Sequence, residues 1–162
     1  MAEVVGNLLE ERGLTLSAAE SCSGGLLAHS LVSNSGASKY FTASLVTYQN
    51  SAKETFLGVR TDLLSRFGAV SEQTAMAMAH GAKHRSGSDY AVAITGVAGP
   101  EGGSEEKPVG TVWIALCTPA KNVACVHVLP WGRSQIRTYA VTLALDLVRR
   151  DVLGYPLTWE KR

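Results

Sequence analysis

The run YAVAIT, residues 90–95, is continuously apolar and β-rich, and it constrains the fold more than any other stretch of the chain. A strand of that kind is buried on both faces, so it belongs in the interior of a sheet covered by a layer on each side. The preceding segment reads as a long helix from Ser71 to about Arg85, with Glu72 in its first turn favoured by the helix dipole. The segment that follows, GVAGPEGGSEEKPVG (96–110), is too rich in glycine and proline for a regular element. A structureless loop of that length inside a compact domain points to a functional role.

The rest of the chain supplies the other layers. Val4, Val5, Leu8 and Leu9 recur at helical spacing before Gly13, and residues 14–18 alternate as a short strand. LLAHSLVS places Leu27 and Leu31 on one face of a second helix, and ASLVTYQ (43–49) reads as a strand. Two short helices follow, one capped by Asn50 or Ser51 and one by Thr61. Strands over 109–117 and 123–129, joined by TPAKN, are close enough for an antiparallel hairpin. A last helix from about Ser134 to Arg150 buries Ile136, Ala140, Leu143 and Leu147. Helices interspersed among three strands, then a hairpin and a closing helix, predict an α/β fold: a three-layer α/β/α sandwich on a mixed sheet. One domain is expected over residues 1–153, followed by a tail, GYPLTWEKR (154–162), that is a mobile end or an interface strap, the former being favoured.

Composition removes several classes of function. A formal net charge of +1 without long Lys/Arg runs gives no electrostatic footprint for nucleic acid or an anionic membrane, so any anionic partner is a small molecule. No apolar stretch approaches spanning length and the N-terminus lacks a signal core, which predicts a cytoplasmic protein. Cys22, Cys117 and Cys125 form no paired motif and, with four histidines, offer no metal-ligand spacing, so neither disulfides, a metal nor a cofactor is expected.

Chemistry concentrates in AAESCSGG (18–25), at a strand-to-helix turn that shares the C-terminal edge of the sheet with the loop after YAVAIT. Gly24 and Gly25 allow close approach of a ligand, and the amides opening the next helix offer donors to an anion or oxyanion, although a tight turn alone would also call for glycine. A hydroxyl there needs a base. His80 and His84 lack the Glu of a zinc motif and read as solvated, and neither His29 nor His127 is readily aimed at the turn. Lys53, in TYQNSAK, opposes the dipole of its own helix, as do Arg133 and Arg137 at the start of the last helix. The lysine is a candidate base or a surface residue; the arginines are a phosphate site or a solvated pair, with Tyr139 near enough to stack or to pack in the core.

Four blocks taken together, AAESCSGG, LVTYQNSAK, GAVSEQTAMAMAHGA and ITGVAGPEGGSEEKPVGTVWIA, resemble the CinA C-terminal domain family, the nicotinamide-nucleotide amidohydrolases. The resemblance covers residues from about 4 to 150 and implies a mixed five-stranded sheet between helices. It also implies deamidation of nicotinamide mononucleotide to nicotinic acid mononucleotide and ammonia, a salvage step in NAD metabolism. On that resemblance Ser21 is the nucleophile, Lys53 its base and Tyr48 a neighbour in the site. The small nucleotide is held by Cys22, Ser23, Gly24 and Gly25 of the turn, by Thr95, Gly96, Gly99, Gly102 and Gly103, and by Arg137 at the phosphate. Amides between Cys22 and Gly24 would hold the oxyanion while loop 96–110 closes over the nucleotide. The chain departs from the family pattern at Ala18 and Ser23, conservatively, and at Trp131–Gly132, where the family more often has Gly-Asp. It also lacks the larger N-terminal domain of some members, which implies a stand-alone form, and association of copies is left open. Two rivals stand beside this reading: a cysteine amidase acting through Cys22, and a nucleotide-binding regulatory module without turnover.

Overall fold

The computed structural model describes residues 1–157. In chain order the elements are α1 (Ala2–Glu11), β1 (Leu16–Glu20), α2 (Leu26–Val32), a 3₁₀ turn at Ala37–Lys39, β2 (Phe41–Val46), α3 (Asn50–Leu57), α4 (Thr61–Phe67), α5 (Glu72–Ser86), β3 (Tyr90–Gly96), β4 (Thr111–Cys117), β5 (Asn122–Val128) and α6 (Arg133–Val152). The five strands form one sheet in the order β2-β1-β3-β4-β5. β1 pairs in parallel with β2 and β3, while β3–β4 and β4–β5 are antiparallel. The expected three-layer α/β/α sandwich and its hairpin are present, and YAVAIT is the central strand.

The two faces of the sheet are made of different side chains. Leu16, Ala18, Val92, Ile94, Val112, Ile114 and Leu116 face a core shared with α1, α2 and α6. On the other face Ala19, Ala91, Ala93, Ala115 and Cys117 meet Ala75, Met78, Ala79 and Ala82 of α5. Small residues on both partners let α5 lie close to the sheet, and α3 and α4 pack against its outer side. α6 buries the predicted Ile136, Ala140 and Leu147, with Leu143 partly buried.

Several local expectations are corrected. β1 does not alternate between core and water: all five of its residues are buried. Its polar members are satisfied inside, Ser17 Oγ lying 2.8 Å from Ser88 Oγ, as is the preceding Thr15, whose Oγ1 donates to Asp89 Oδ2 at 2.7 Å. Ser71 does cap α5 by accepting from the Thr74 amide, but α3 and α4 begin without a side-chain cap bond, so Asn50, Ser51 and Thr61 do not act as expected. In α1 the buried face is Val5 and Leu9, and Val4 is exposed. Of the first tail residues Gly154, Tyr155 and Pro156 are exposed and Leu157 is buried, and the Tyr155 amide donates to the Arg150 carbonyl. The remainder of the tail, 158–162, lies outside the described residues.

The closest helix contact is at Gly81 of α5, where a β-carbon would lie 2.1 Å from the Leu57 carbonyl oxygen of α3. Backbone meets backbone there, so no flexible side chain can yield. Gly81→Ala should therefore lower the free energy of unfolding in urea by about 1–3 kcal/mol, the usual cost of overpacking; an unchanged midpoint would show that α3 shifts freely.

Candidate active site

Residues 18–25 carry β1 into α2, and the two-residue period of an extended chain sorts their side chains. Glu20 follows Ala18 toward α2, and Cys22 belongs to the apolar cluster on that same side. Ser21 follows Ala19 to the opposite side, where Lys53 Nζ of α3 lies 3.1 Å from its Oγ. Thus the two nucleophilic atoms of the motif leave the chain in opposite directions, and only the serine meets a base. Ser21 is flanked across the sheet by Thr47 and Thr95: its amide donates to the Ile94 carbonyl, and the Thr47 amide donates to the Glu20 carbonyl.

Lys53 is 1% exposed, on the buried face of α3 with Leu57. Its Nζ also donates to the Thr47 carbonyl at 2.7 Å and to the Tyr48 carbonyl at 3.3 Å. Two carbonyls thus take two N–H groups, and a neutral amine in this position directs its lone pair at the Ser21 hydroxyl. Burial pulls the Lys53 pKa from 10.5 down to about 8, with proximity to Cys22 acting the other way. At pH 7 the neutral fraction is then roughly one in ten, against about one in three thousand for a solvated lysine. Cys22 differs: burial pushes its thiol up to about 11, so it is protonated at neutral pH.

Glu20, which the sequence reading passed over, organises the turn. Its buried carboxylate accepts from the amides of Gly25 and Leu27 through Oε2 and of Ala28 through Oε1, and from Ser44 Oγ of β2. The helix-opening amides expected to receive a ligand's charge are therefore filled by the chain's own carboxylate. The Gly24 amide donates to the Ser21 carbonyl at 3.1 Å. Of the three amides expected to hold an oxyanion, those of Cys22 and Ser23 remain, donating to no backbone carbonyl among the described residues.

The rim joins three segments. Arg133 donates from Nη1 to the Gly99 carbonyl at 2.7 Å and from Nη2 to the hydroxyl of Tyr48 at 3.0 Å, tying the start of α6 to the glycine-rich loop and to the end of β2. Arg137, expected at the phosphate, instead donates from Nε and Nη2 to the Ser23 carbonyl at 3.2 and 2.7 Å. Thr95 lies beside Ser21, with its hydroxyl donating to the Ala69 carbonyl.

The loop expected to be structureless is braced. Val97 exchanges backbone bonds with Gly110 and Thr111, and Lys107 Nζ donates to the Phe67 carbonyl. Packing accounts for four of its glycines: a β-carbon on Gly96 would strike the Thr111 carbonyl, on Gly99 or Gly103 it would strike Val109, and on Gly110 the Leu129 carbonyl. Gly102 is exposed with φ +87°. Tyr139 stacks on Trp131 with centroids 4.2 Å apart, both rings partly exposed, so it does not pack in the core. His80 and His84 are exposed on α5, where both line a groove of about 350 Å³ together with Leu57, Arg60 and Arg85, away from Ser21 and Lys53.

Sequence reading missed Glu20 because an acid at the end of a strand looks solvated until the following helix is seen to begin above it. It weighed Arg133 without placing it. The signal was available in the spacing: an acid five to eight residues ahead of the first helical amides, and two arginines four apart on one helical face.

The family described as the CinA C-terminal domain matches residues 1–152. A CinA-like protein of Geobacter sulfurreducens is 51% identical over 149 residues, 92% of this chain and 36% of that protein. A putative competence-damage inducible protein of Symbiobacterium thermophilum is 50% identical, over 96% of this chain and 38% of its own length. The chain thus spans little more than a third of these curated relatives. Among solved structures, the competence/damage inducible protein CihA from Agrobacterium tumefaciens superposes with a TM-score of 0.87 at 43% identity, covering 91% of this chain and 93% of that one. A CinA superfamily protein from Klebsiella pneumoniae gives 0.91 at 32% identity, covering 95% and 96%.

The depressed pKa of Lys53 has a consequence for stability. Between about pH 8 and 10.5 the unfolded lysine still holds a proton that the folded one has released, so folding is increasingly favoured as pH rises through that window. The cost of burying the ammonium is fully present below pH 8. Relative to Lys53→Met, the wild type should gain unfolding free energy from pH 8 to 10.5, measured by urea melts at stepped pH. A difference that stayed flat would mean that Lys53 titrates normally.

Proposed function

The chain belongs to the CinA C-terminal domain family, and from that membership we propose that it is an amidohydrolase that converts nicotinamide mononucleotide to nicotinic acid mononucleotide and ammonia. The observation that carries the reading is the buried Lys53 amine 3.1 Å from Ser21 Oγ, held by two carbonyls so that its neutral form faces the hydroxyl.

Neutral Lys53 takes the Ser21 proton as Oγ attacks the carboxamide carbon. The oxyanion is received by the Cys22 and Ser23 amides. The Lys53 ammonium then gives its proton to the departing nitrogen, which leaves as ammonia with formation of a Ser21 ester. Water, deprotonated by Lys53, attacks that ester and releases the carboxylate product. No step calls for a metal or cofactor. Because Glu20 fills the start of α2, we assign the phosphate to the rim, where Arg133 and Tyr48 meet and the guanidinium stands in the first turn of α6. Cys22 is a poor candidate for the nucleophile, since it faces the apolar core with a raised pKa.

Ammonia release by the purified protein tests the reading. Ser21→Ala should abolish turnover and Cys22→Ala should leave a readily measured rate. Lys53→Arg should be as inactive as Lys53→Ala, since a guanidinium cannot deprotonate. kcat should rise with pH through an apparent pKa near 8. Free nicotinamide should be a far poorer substrate, because it lacks the phosphate and ribose whose binding orients the amide. Substantial activity in Lys53→Arg at neutral pH, or equal kcat/KM for nucleotide and free nicotinamide, would refute the reading.

A further inference from the structure

Arg137 does not reach the dyad, yet its guanidinium is half-buried against the nucleophile turn. Its acceptor, the Ser23 carbonyl, receives Nε at 3.2 Å and Nη2 at 2.7 Å, besides the Leu26 amide at 3.3 Å. The Ser23 carbonyl and the Gly24 N–H belong to one peptide group. That N–H donates to the Ser21 carbonyl at 3.1 Å, and the Ser21 carbonyl shares its peptide group with the Cys22 N–H. The Cys22 N–H closes the series, with no backbone acceptor among the described residues. A cation, two peptide groups and a terminal donor therefore stand in line, the donor being engaged only by its own Cys22 thiol.

Each peptide in such a series is polarised by the one before it, and hydrogen bonds in sequence strengthen one another, all the more in a buried setting. A permanent cation at the carbonyl end draws electron density toward itself and leaves the terminal N–H more positive. A bidentate guanidinium also fixes the plane of the Ser23–Gly24 peptide. The plane matters because Gly24 has φ +60°, a conformation without side-chain restraint, and is exposed.

We propose that Arg137 is a positioning residue for the oxyanion site: through the Ser23–Gly24 and Ser21–Cys22 peptides it orients and polarises the Cys22 N–H that receives the developing negative charge. The proposal rests on the reading of Ser21 as nucleophile but not on the identity of the amide substrate. It separates the two arginines of α6, Arg133 serving the phosphate end and Arg137 the reacting centre. A hydrogen-bond donor in an oxyanion site is worth about 100- to 1000-fold in rate when removed outright. Weakening one should cost roughly tenfold or more.

The test compares wild type with Arg137→Met and Arg137→Lys, the latter keeping the charge without the paired donors. The first measurement is acylation of Ser21 by p-nitrophenyl acetate, followed by intact mass and needing no nucleotide. The second is the amide proton shift of Cys22 in the free protein, and the third is kcat and KM for nicotinamide mononucleotide. Expected in Arg137→Met are slower Ser21 acylation by about tenfold or more, an upfield move of the Cys22 amide proton, and a fall in kcat with KM within about threefold. Arg137→Lys should lie between. Should Arg137→Met fail to fold, Arg137→Lys carries the same three readouts. Wild-type acylation rates in either variant, an unmoved amide proton, or a rise in KM at constant kcat would overturn the proposal, the last marking Arg137 as a phosphate ligand. If Ser21 is acylated in an Arg137-dependent way but no ammonia is released from the nucleotide, the substrate assignment fails and this inference stands. If wild-type Ser21 is not acylated at all, both fail.

Discussion

A carboxylate buried where a helix begins is the constraint on which the site depends. Glu20 answers two needs at once: α2 opens with amides that have no intrahelical acceptor, and the acid cannot be buried without donors. Four donors meet it, three from the start of α2 and one from β2, so β1, α2 and β2 are fixed to one another at the point where the chain turns. Ser21 follows directly and has little freedom of its own. The turn leaves β1 and enters α2 within five residues, and one side chain inside that span supplies the acceptor for its far end.

The same alternation that aims Glu20 at α2 aims Ser21 away from it, and α3 crosses on that side with Lys53. Burial rather than a neighbouring charge brings the lysine beside Ser21 toward neutrality. The carbonyls of Thr47 and Tyr48 set the direction of the lone pair. On the other side of the turn, Arg137 holds the Ser23 carbonyl. Lys53 and the Ser23 carbonyl are thus held by helices from opposite layers of the sandwich, and Ser21 lies between them.

Much of the architecture was legible in the sequence because it is written in periodicity. YAVAIT announced a central strand, Leu27 and Leu31 the buried face of α2, and Ile136, Ala140 and Leu147 that of α6. Ser21 and Lys53 were named from the resemblance of whole blocks; spacing alone left Lys53 a choice between base and surface cation. Less legible was everything decided by what lies across space. β1 looked half-solvated because Thr15 and Ser17 are polar, and their partners Asp89 and Ser88 sit more than seventy residues away. The loop after β3 looked free because its glycines suggested room for a ligand. Most of that room is taken by Val109 and by the neighbouring strand, contacts that no local pattern encodes.

The burial of Lys53 also makes it chemically unlike the exposed lysines of the same chain, such as Lys39 and Lys121. Burial draws the Lys53 pKa down to about 8, so part of the amine is unprotonated near neutral pH. A small amine-directed electrophile, such as an aldehyde or an activated ester, would find at Lys53 a nitrogen with an available lone pair. Burial thereby gives this position an intrinsic covalent handle, and with it a way of reporting its occupancy by protection from labelling.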